Sequence, residues 1–223
     1  MIEALEELVQ AAQGLVSSGL VTGAGGNVSV REGDRMWISP SGFSFEDASA
    51  ARYPCISVES GEILDGEHRP SSEVLMHLWV YRARPDVNAI IHAHPKMTIA
   101  LCSAGHDLRA LYADYYVYLG RNVPHVPYVT VTTPELARIV EGEFSAPDCH
   151  GMVLRNHGTI TVGASVKEAV FRTYAMEEQA FIQWHALQVG EPDYLTEAEL
   201  AKLDALGSEE YRRRLLAEMR PGS

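Results

Sequence analysis

The stretch Ala89-Ile90-Ile91-His92-Ala93-His94-Pro95 places two histidines two residues apart at the end of an apolar run. Residues two apart on a β-strand project from the same face, so both imidazoles can reach one ion, and Pro95 ends the strand at a rim. Neutral imidazoles suit zinc and neighbouring divalent metals. The alternative is a pair of partly exposed histidines at a strand end, and a third ligand decides between the two.

His157 is the best candidate for that third ligand among the nine histidines of the chain. It lies in Leu154-Arg155-Asn156-His157-Gly158-Thr159, between two apolar strands, where the glycine permits a tight turn that holds the imidazole rigidly. His77 and His185 fall inside helical patterns, where a place in the core or in solvent is expected, and His150 stays open as an alternative. Three histidines with a free fourth position are typical of a catalytic metal.

A second group, Pro70-Ser71-Ser72-Glu73, stands at the start of a helical pattern that runs to Ala83. Ser71 or Ser72 is the predicted N-cap, with Glu73 in the first turn. Two hydroxyls, free backbone N–H groups and the helix dipole can bind an anion without Lys or Arg, and Glu73 beside a metal could act as general base next to a carbonyl. The competing interpretation is an ordinary helix N-cap.

Two further loops could complete a phosphate site. They are Gly25-Gly26-Asn27-Val28-Ser29 and Ser39-Pro40-Ser41-Gly42, in which glycines allow close backbone approach while Asn and Ser add neutral donors. Turn chemistry alone is the other explanation of each loop. The glycine spacing fits neither a dinucleotide fingerprint nor a Walker loop, which argues against dinucleotide or triphosphate binding.

The elements that must position these residues alternate between strands and helices. Helices are predicted at residues 2–16, 72–83, 96–102, 134–140, 165–189 and 196–219, the last interrupted at Gly207-Ser208. Strands are predicted at 27–30, 35–38, 55–58, 88–92, 127–131, 152–154 and 159–162, with a polar loop from Gly61 to Pro70. This pattern predicts an α/β fold in which a sheet is covered by helices, with the strand order left open.

Composition bounds the class of protein. The chain has 223 residues and a formal charge of −12, which favours one domain over residues 1–223 and argues against nucleic-acid and anionic-membrane partners. We find no apolar run of membrane-spanning length, no basic N-terminal leader and three cysteines without a Cys-x-x-Cys pair. The expectation is a cytoplasmic protein without a disulfide framework.

Taken together, five motifs resemble the class II aldolase/adducin family, in particular its L-fuculose-1-phosphate aldolase branch. The resemblance runs in order over roughly residues 1–185. It implies α/β/α layers with a central, mainly antiparallel sheet, and a homotetramer with active sites at subunit interfaces. The motifs are Gly26-Asn27-Val28-Ser29, Ser39-Pro40-Ser41-Gly42, Pro70-Ser71-Ser72-Glu73, His92-Ala93-His94-Pro95 and Asn156-His157-Gly158.

The resemblance also implies the roles of individual residues. Zn²⁺, or another divalent metal such as Mn²⁺ or Co²⁺, would be held by His92, His94 and His157, and Glu73 would be the catalytic acid/base. A substrate phosphate would be held by Asn27, Ser41, Gly42, Ser71 and Ser72.

A tyrosine from a neighbouring subunit and a second from the C-terminal tail also act in these aldolases. Tyr112 and Tyr115 are the candidates for the first and Tyr211 for the second. The tail from about residue 190 is predicted to be charged, helical and mobile, and it departs from the family's pattern.

The predicted function is therefore a zinc-dependent lyase of carbohydrate metabolism. This aldolase would cleave a small ketose 1-phosphate to dihydroxyacetone phosphate and an aldehyde through a metal-stabilised enediolate. The family also contains 4-epimerases, sugar-phosphate dehydratases and decarboxylases, as well as metal-free adducin-like interaction modules. Glu73, where epimerases tend to carry Asp, and the short separation of 63 residues between His94 and His157 favour the aldolase.

Overall fold

The computed structural model describes residues 3–207, 211 and 215, which form eight strands and seven α-helices. The helices are α1 (Glu3–Ser17), α2 (Val74–Ala83), α3 (Lys96–Ser103), α4 (Ala113–Leu119), α5 (Pro134–Phe144), α6 (Val166–Val189) and α7 (Glu197–Asp204). The strands are β1 (Asn27–Glu32), β2 (Arg35–Ile38), β3 (Cys55–Ser57), β4 (Ile63–Asp65), β5 (Ala89–Ala93), β6 (His125–Val126), β7 (Gly151–Leu154) and β8 (Gly158–Gly163). Two 3₁₀ turns, Phe45–Asp47 and Ala50–Arg52, connect β2 to β3.

All eight strands belong to one sheet, in the order β4-β3-β2-β1-β5-β8-β7-β6. Neighbouring strands are antiparallel except for β6 and β7, which are parallel. The register of β1 against β5 places Asn27 opposite His92, and that of β5 against β8 places His92 opposite Ile160. The mixed, mainly antiparallel sheet confirms the predicted fold class. It also makes β1, β5 and β8 neighbours, so that Asn27 and His92 lie side by side in the middle of the sheet.

Helices cover both faces of the sheet, because the central strand β5 is apolar on both sides. Ile90 packs under α2 and α5 in one buried cluster, and Ile91 packs under α1 and α6 in another. Burying such side chains on either face contributes about 1.5–3 kcal/mol each, so the sheet stays between two helical layers. His92 follows the alternation and lies on the Ile90 side, the side of α2.

Several elements of the structure differ from the sequence prediction. The predicted loop from Gly61 to Pro70 contains β4, an edge strand whose side chains are exposed and which therefore lacks an apolar alternation. The predicted strand at 127–131 is irregular, and the strand is instead the preceding two-residue β6. The short helix α4 follows Tyr112, where no helix was predicted.

The N-cap of α2 is also different from the prediction. Glu73 occupies the N-cap position, with φ −101° and ψ 17°, and its side chain makes no capping hydrogen bond. Ser71 instead accepts a hydrogen bond from the Glu73 N–H at 3.2 Å. The Glu73 carboxylate is therefore directed away from the helix and is available for other contacts.

Beyond α6 the chain continues into α7, which Thr196 and Glu199 begin with a reciprocal capping box. The predicted continuation of this helix to Met219 lies largely outside the described residues, while Tyr211 is helical and exposed. Among the helices in the described ranges, none has both the length and the apolar character needed to cross a membrane.

Candidate active site

Three histidines converge where β5 meets the turn between β7 and β8. His92 is the fourth residue of β5, His94 follows the strand directly, and His157 lies in the turn between β7 and β8. Their ring centroids are 4.7–5.4 Å apart, and one ligand nitrogen of each lies within 4.8 Å of the others. The structure thus brings together the three histidines that the sequence singled out.

A tight turn holds His157 in this position. Asn156 has φ 59°, and the His157 N–H donates to the Leu154 carbonyl at 3.1 Å. A Cβ at Gly158 would lie 2.3 Å from the Ala93 carbonyl oxygen and 2.8 Å from the His94 ring. The absence of a side chain at Gly158 therefore allows β8 to approach β5 closely enough for His157 to face the other two imidazoles.

The ring nitrogens of the three histidines lie close enough together to bind one divalent cation. His92 Nδ1 donates to the Thr159 carbonyl oxygen at 3.0 Å, which holds the ring with Nε2 facing the other histidines. That Nε2 lies 3.1 Å from His94 Nε2 and 3.2 Å from Glu73 Oε2. Acceptors crowded this closely in a buried place fit a bound cation, and the described histidine set suits a transition metal.

The electrostatics of the cluster agree with this fit. Burial and the neighbouring His92 lower the pKa of His94 and of His157 to about 4. Both imidazoles are therefore neutral at physiological pH, which is the protonation state of a metal ligand. The charge of a cation would be balanced from one side by Glu73.

Glu73 is the carboxylate of the site and is 8% exposed. Its Oε2 accepts a hydrogen bond from Asn27 Nδ2 at 2.9 Å, and its Oε1 lies 3.6 Å from His157 Nε2 without a hydrogen-bond partner in the described structure. Burial opposes ionisation, but hydrogen bonding and the facing imidazoles outweigh it and hold the pKa of Glu73 below its usual range. Glu73 is therefore a carboxylate at neutral pH.

A cleft of about 280 Å³ opens beside the histidines. Its walls include His94, His157 and Glu73, and none of its lining residues is Lys or Arg. Every residue predicted to hold phosphate lines the same cleft, namely Asn27, Ser41, Gly42, Ser71 and Ser72.

Backbone pairing joins the two serine loops that form this cleft. The Ser41 N–H donates to the Arg69 carbonyl at 2.9 Å, and the Ser71 N–H donates to the Ser39 carbonyl at 3.1 Å. Within the described ranges, no hydrogen bond uses the N–H groups of Gly42 or Ser72. Neutral donors at the start of α2 can therefore face an anion in the cleft.

Sequence reasoning missed several residues that shape the cleft. Val131 and Thr132 form part of its wall, and Thr132 has φ 65°, a rare conformation for a β-branched residue. His77 is buried in the core, one of its two expected places, and its Nε2 is in hydrogen-bond contact with Asn27 behind the site, a connection that the sequence did not indicate. The sequence signal that could have identified His77 is the polar residue at every fourth position of α2 and its N-cap.

The two tyrosine candidates do not reach the histidine cluster of their own chain. Tyr115 is 3% exposed, and its hydroxyl has no hydrogen-bond partner in the described structure. Tyr112 is half-buried, and its hydroxyl donates to Glu178 at 3.1 Å. His150 and His185, the other histidines considered, also lie apart from the cluster, the first largely buried and the second exposed.

The fold and the site together define a class of protein: an α/β domain with a cluster of three histidines that could hold a metal ion, a facing carboxylate and an adjoining cleft without Lys or Arg. A solved structure named L-fuculose 1-phosphate aldolase has this fold, with a TM-score of 0.84, 29% identity, and coverage of 94% of this chain and 96% of that one. The family profile described as Class II Aldolase and Adducin N-terminal domain matches residues 6–184. The chain belongs to this family.

Named relatives resemble the chain over most of its length. A 5-deoxy-D-ribulose 1-phosphate aldolase of Bacillus thuringiensis serovar kurstaki is 36% identical, covering 89% of this chain and 92% of the relative. A 3-oxo-tetronate 4-phosphate decarboxylase of Haemophilus influenzae is 30% identical, covering 91% and 96% respectively. These relatives agree with the family assignment, and their names indicate at least two different reactions, aldol cleavage and decarboxylation.

Proposed function

We propose that this protein is a metal-dependent aldolase that cleaves a small ketose 1-phosphate to dihydroxyacetone phosphate and an aldehyde. The observation that carries the proposal is one cleft lined by the buried carboxylate of Glu73, by two members of the three-histidine cluster and by Ser71 and Ser72. The likeness to the 5-deoxy-D-ribulose 1-phosphate aldolase makes that ketose the first substrate to assay.

In the cleavage direction, the bond between C3 and C4 of the ketose breaks, and its electron pair stays on the phosphorylated fragment. The C4 hydroxyl gives up a proton as the aldehyde forms, and C3 takes up one proton. Zn²⁺, or Mn²⁺ or Co²⁺, held by His92, His94 and His157 would supply a Lewis acid for the negative charge that develops on the substrate oxygens.

Glu73 is the group that exchanges the C3 proton. Its carboxylate is ionised, and Oε1 is free of protein hydrogen bonds in the described structure. In the reverse direction it would remove a C3 proton from dihydroxyacetone phosphate, since a carbon acid next to a polarised carbonyl needs a base within reach.

The serine loops would anchor the phosphate. Ser71, Ser72, Ser41 and Gly42 present hydroxyl and N–H donors at the start of α2, and Asn27 Nδ2 retains one N–H after its bond to Glu73. Binding energy from the phosphate would hold the reacting carbons against the metal and Glu73. This local donor set serves a small anionic substrate although the chain carries a charge of −12.

A homotetramer with active sites at subunit interfaces would supply the remaining groups. Of the two tyrosines, Tyr112 is the better candidate to act on a neighbouring subunit's aldehyde, because Tyr115 is buried within its own chain. Tyr211 is exposed and remains the candidate from the tail. All described strands share one sheet, which supports one domain over residues 1–223, and a cytoplasmic location is part of the same proposal.

Decarboxylation of a 3-oxo acid phosphate is the second candidate, because a decarboxylase is among the relatives. Both reactions break a carbon–carbon bond and leave the electron pair next to a ketone. The two are separated by incubating the zinc-loaded protein with 5-deoxy-D-ribulose 1-phosphate and with 3-oxo-tetronate 4-phosphate, and measuring acetaldehyde and CO₂. Release of CO₂ from the 3-oxo acid phosphate, with no aldehyde formed from any ketose 1-phosphate of a panel, would overturn the aldolase.

The role of Glu73 is tested by Glu73→Gln. The variant should keep its bound metal and its affinity for inorganic phosphate, yet lose exchange of the C3 protons of dihydroxyacetone phosphate with deuterated water. Glu191→Gln, at an exposed position, is the control and should exchange normally. Exchange at the wild-type rate in Glu73→Gln would sink the assignment of the base.

A further inference from the structure

Buried polar side chains form a row between β1 and α2, behind the candidate site. On β1 they occupy every second position, and on α2 with its N-cap every fourth position. Two strand residues rise about 6.6 Å and four helix residues about 6 Å, so the two rows stay in step. The members are Asn27 and Ser29 on β1, and Glu73, His77 and Tyr81 on α2 and its N-cap.

Consecutive members of this row, here called the β1–α2 chain, are in hydrogen-bond contact. Asn27 Nδ2 lies 2.9 Å from Glu73 Oε2, and Asn27 Oδ1 lies 2.5 Å from His77 Nε2. Ser29 Oγ lies 2.7 Å from His77 Nδ1 and 2.8 Å from the Tyr81 hydroxyl. Ser29, His77 and Tyr81 are each at most 1% exposed, so water does not compete for these contacts.

The geometry at Asn27 fixes the direction of the whole chain. Its Nδ2 donates to Glu73 Oε2, so its carbonyl oxygen is the atom that faces His77. His77 must then donate from Nε2, and its Nδ1 must accept from the Ser29 hydroxyl. Since the Ser29 proton is used on His77, Ser29 accepts from the Tyr81 hydroxyl at 2.8 Å, the nearer of that hydroxyl's two acceptors, the other being the Asn88 carbonyl oxygen at 3.4 Å. Every hydrogen bond of the chain therefore points toward the carboxylate.

Burial keeps His77 in the neutral form that this direction needs. Removal from water lowers the pKa of His77 to about 3. A neutral imidazole has one donor and one acceptor, and here each faces a partner of the opposite kind. The tautomer of His77 and the orientation of the Asn27 amide are therefore fixed together.

We propose that His77 is a positioning residue that acts on Glu73 through Asn27. Without a donor at His77 Nε2, the Asn27 amide can rotate and present its oxygen to the carboxylate, which repels Glu73 from its place. With the donor, Oε2 is anchored and Oε1 is left as the oxygen that exchanges the substrate proton. The catalytic part of this inference rests on the proposed function, whereas the direction of the β1–α2 chain does not.

A matched pair of variants separates positioning from packing. In His77→Gln the side-chain amide reaches the Nε2 position and can donate to Asn27. In His77→Asn the shorter amide reaches only the Nδ1 position, so it contacts Ser29 and leaves Asn27 without its donor. Both variants bury one amide at the same place, and both should lose similar stability, measured by urea unfolding.

The expected result is a difference in kcat between the two variants. Because a hydrogen bond to a charged group is at stake, His77→Asn should lower kcat about 10- to 100-fold while KM, bound metal and inorganic-phosphate affinity stay unchanged. His77→Gln should remain within about threefold of the wild-type kcat. Equal kcat values in the two folded variants, or a change in KM alone, would overturn the positioning role.

A second measurement does not depend on catalysis. The ¹⁵N spectrum of the metal-free protein should show His77 protonated at Nε2 and unprotonated at Nδ1, and Ser29→Ala should shift the Nδ1 resonance. A proton on Nδ1 would overturn the direction of the β1–α2 chain. If instead the spectrum is as expected and the wild type cleaves no ketose phosphate, the proposed function fails while the chain direction stands.

Discussion

Adding one methyl group at Gly158 should weaken metal binding, because this glycine sets the distance between the two strands that carry the histidines. The Cβ of Gly158→Ala would lie 2.3 Å from the Ala93 carbonyl oxygen and 2.8 Å from the His94 ring. Ordinary contact begins near 3.4 Å, so the end of β5 and the turn that carries His157 must separate by about 1 Å.

The sizes of the expected losses in stability and zinc affinity depend on which atoms the added methyl group displaces. The nearest obstacle is a backbone oxygen rather than a flexible side chain, so the metal-free protein should lose about 1–3 kcal/mol in free energy of unfolding. Displacing two ligands by a fraction of an ångström to an ångström should weaken zinc binding about 10- to 100-fold, as disturbing the supporting shell of a metal site does. Urea unfolding measures the first effect, and competition with a chromophoric chelator measures the second.

Gly142→Ala is the matched control. Gly142 lies inside α5, and its added Cβ would meet no atom within 4 Å. This variant should gain about 0.5–1 kcal/mol from the reduced entropy of the unfolded chain and bind zinc as the wild type does. Wild-type stability and wild-type zinc affinity in Gly158→Ala would refute the reasoning that this close approach holds the site together.

Three further outcomes are expected. Dialysis against a chelator should abolish cleavage of the ketose phosphate, and Zn²⁺, Mn²⁺ or Co²⁺ should restore it; activity that survives with less than one metal per ten chains contradicts the metal centre. Burial, helped by Arg172 and Arg84, lowers the pKa of His150 to about 3. Protons therefore bind His150 more tightly in the unfolded chain, so the free energy of unfolding falls as the pH falls from about 6.5 toward 3. In urea unfolding at pH 5, His150→Gln should lose up to about 2 kcal/mol less free energy of unfolding than the wild type does, relative to neutral pH. The same dependence of stability on pH in the variant and the wild type would contradict this. Arg84 donates hydrogen bonds to the carbonyls of Phe144, Ala146 and Cys149. Arg84→Met should therefore lower the free energy of unfolding, measured in urea, by about 3–5 kcal/mol and leave kcat unchanged. The control Arg138→Met, at an exposed position, should change the free energy of unfolding little.

Local patterns were sufficient to predict most elements and the metal-binding candidates. The spacing of His92 and His94 depends only on the two-residue period of a strand, and the turn at His157 depends on its glycine neighbour. Helices with strong periodicity, such as α1 and α6, were predicted within a residue or two. Elements without such a signal, the exposed edge strand β4 and the two-residue β6, were not.

The predicted phosphate residues show where local reasoning reaches its limit. The glycine and serine loops were recognised from their turn chemistry, and all five residues do line one cleft. The sequence could not show that Asn27 also bonds Glu73 and His77, because these partners lie 46 and 50 residues away. A contact of that kind depends on which helix covers which face of the sheet.

The sequence by itself determined that two imidazoles two residues apart stand at the end of a strand, that a third lies in a turn beside a glycine, and that serines precede a helix beginning near Glu73. These features follow from periods and turn preferences that act over a few residues. Only the tertiary structure decided that β1, β5 and β8 are neighbours, that the Glu73 carboxylate faces His92 rather than capping α2, and that His77 lies behind it. The physical reason is that sheet order and helix packing are set by burial of the two apolar faces of the whole domain, which no short stretch of sequence encodes.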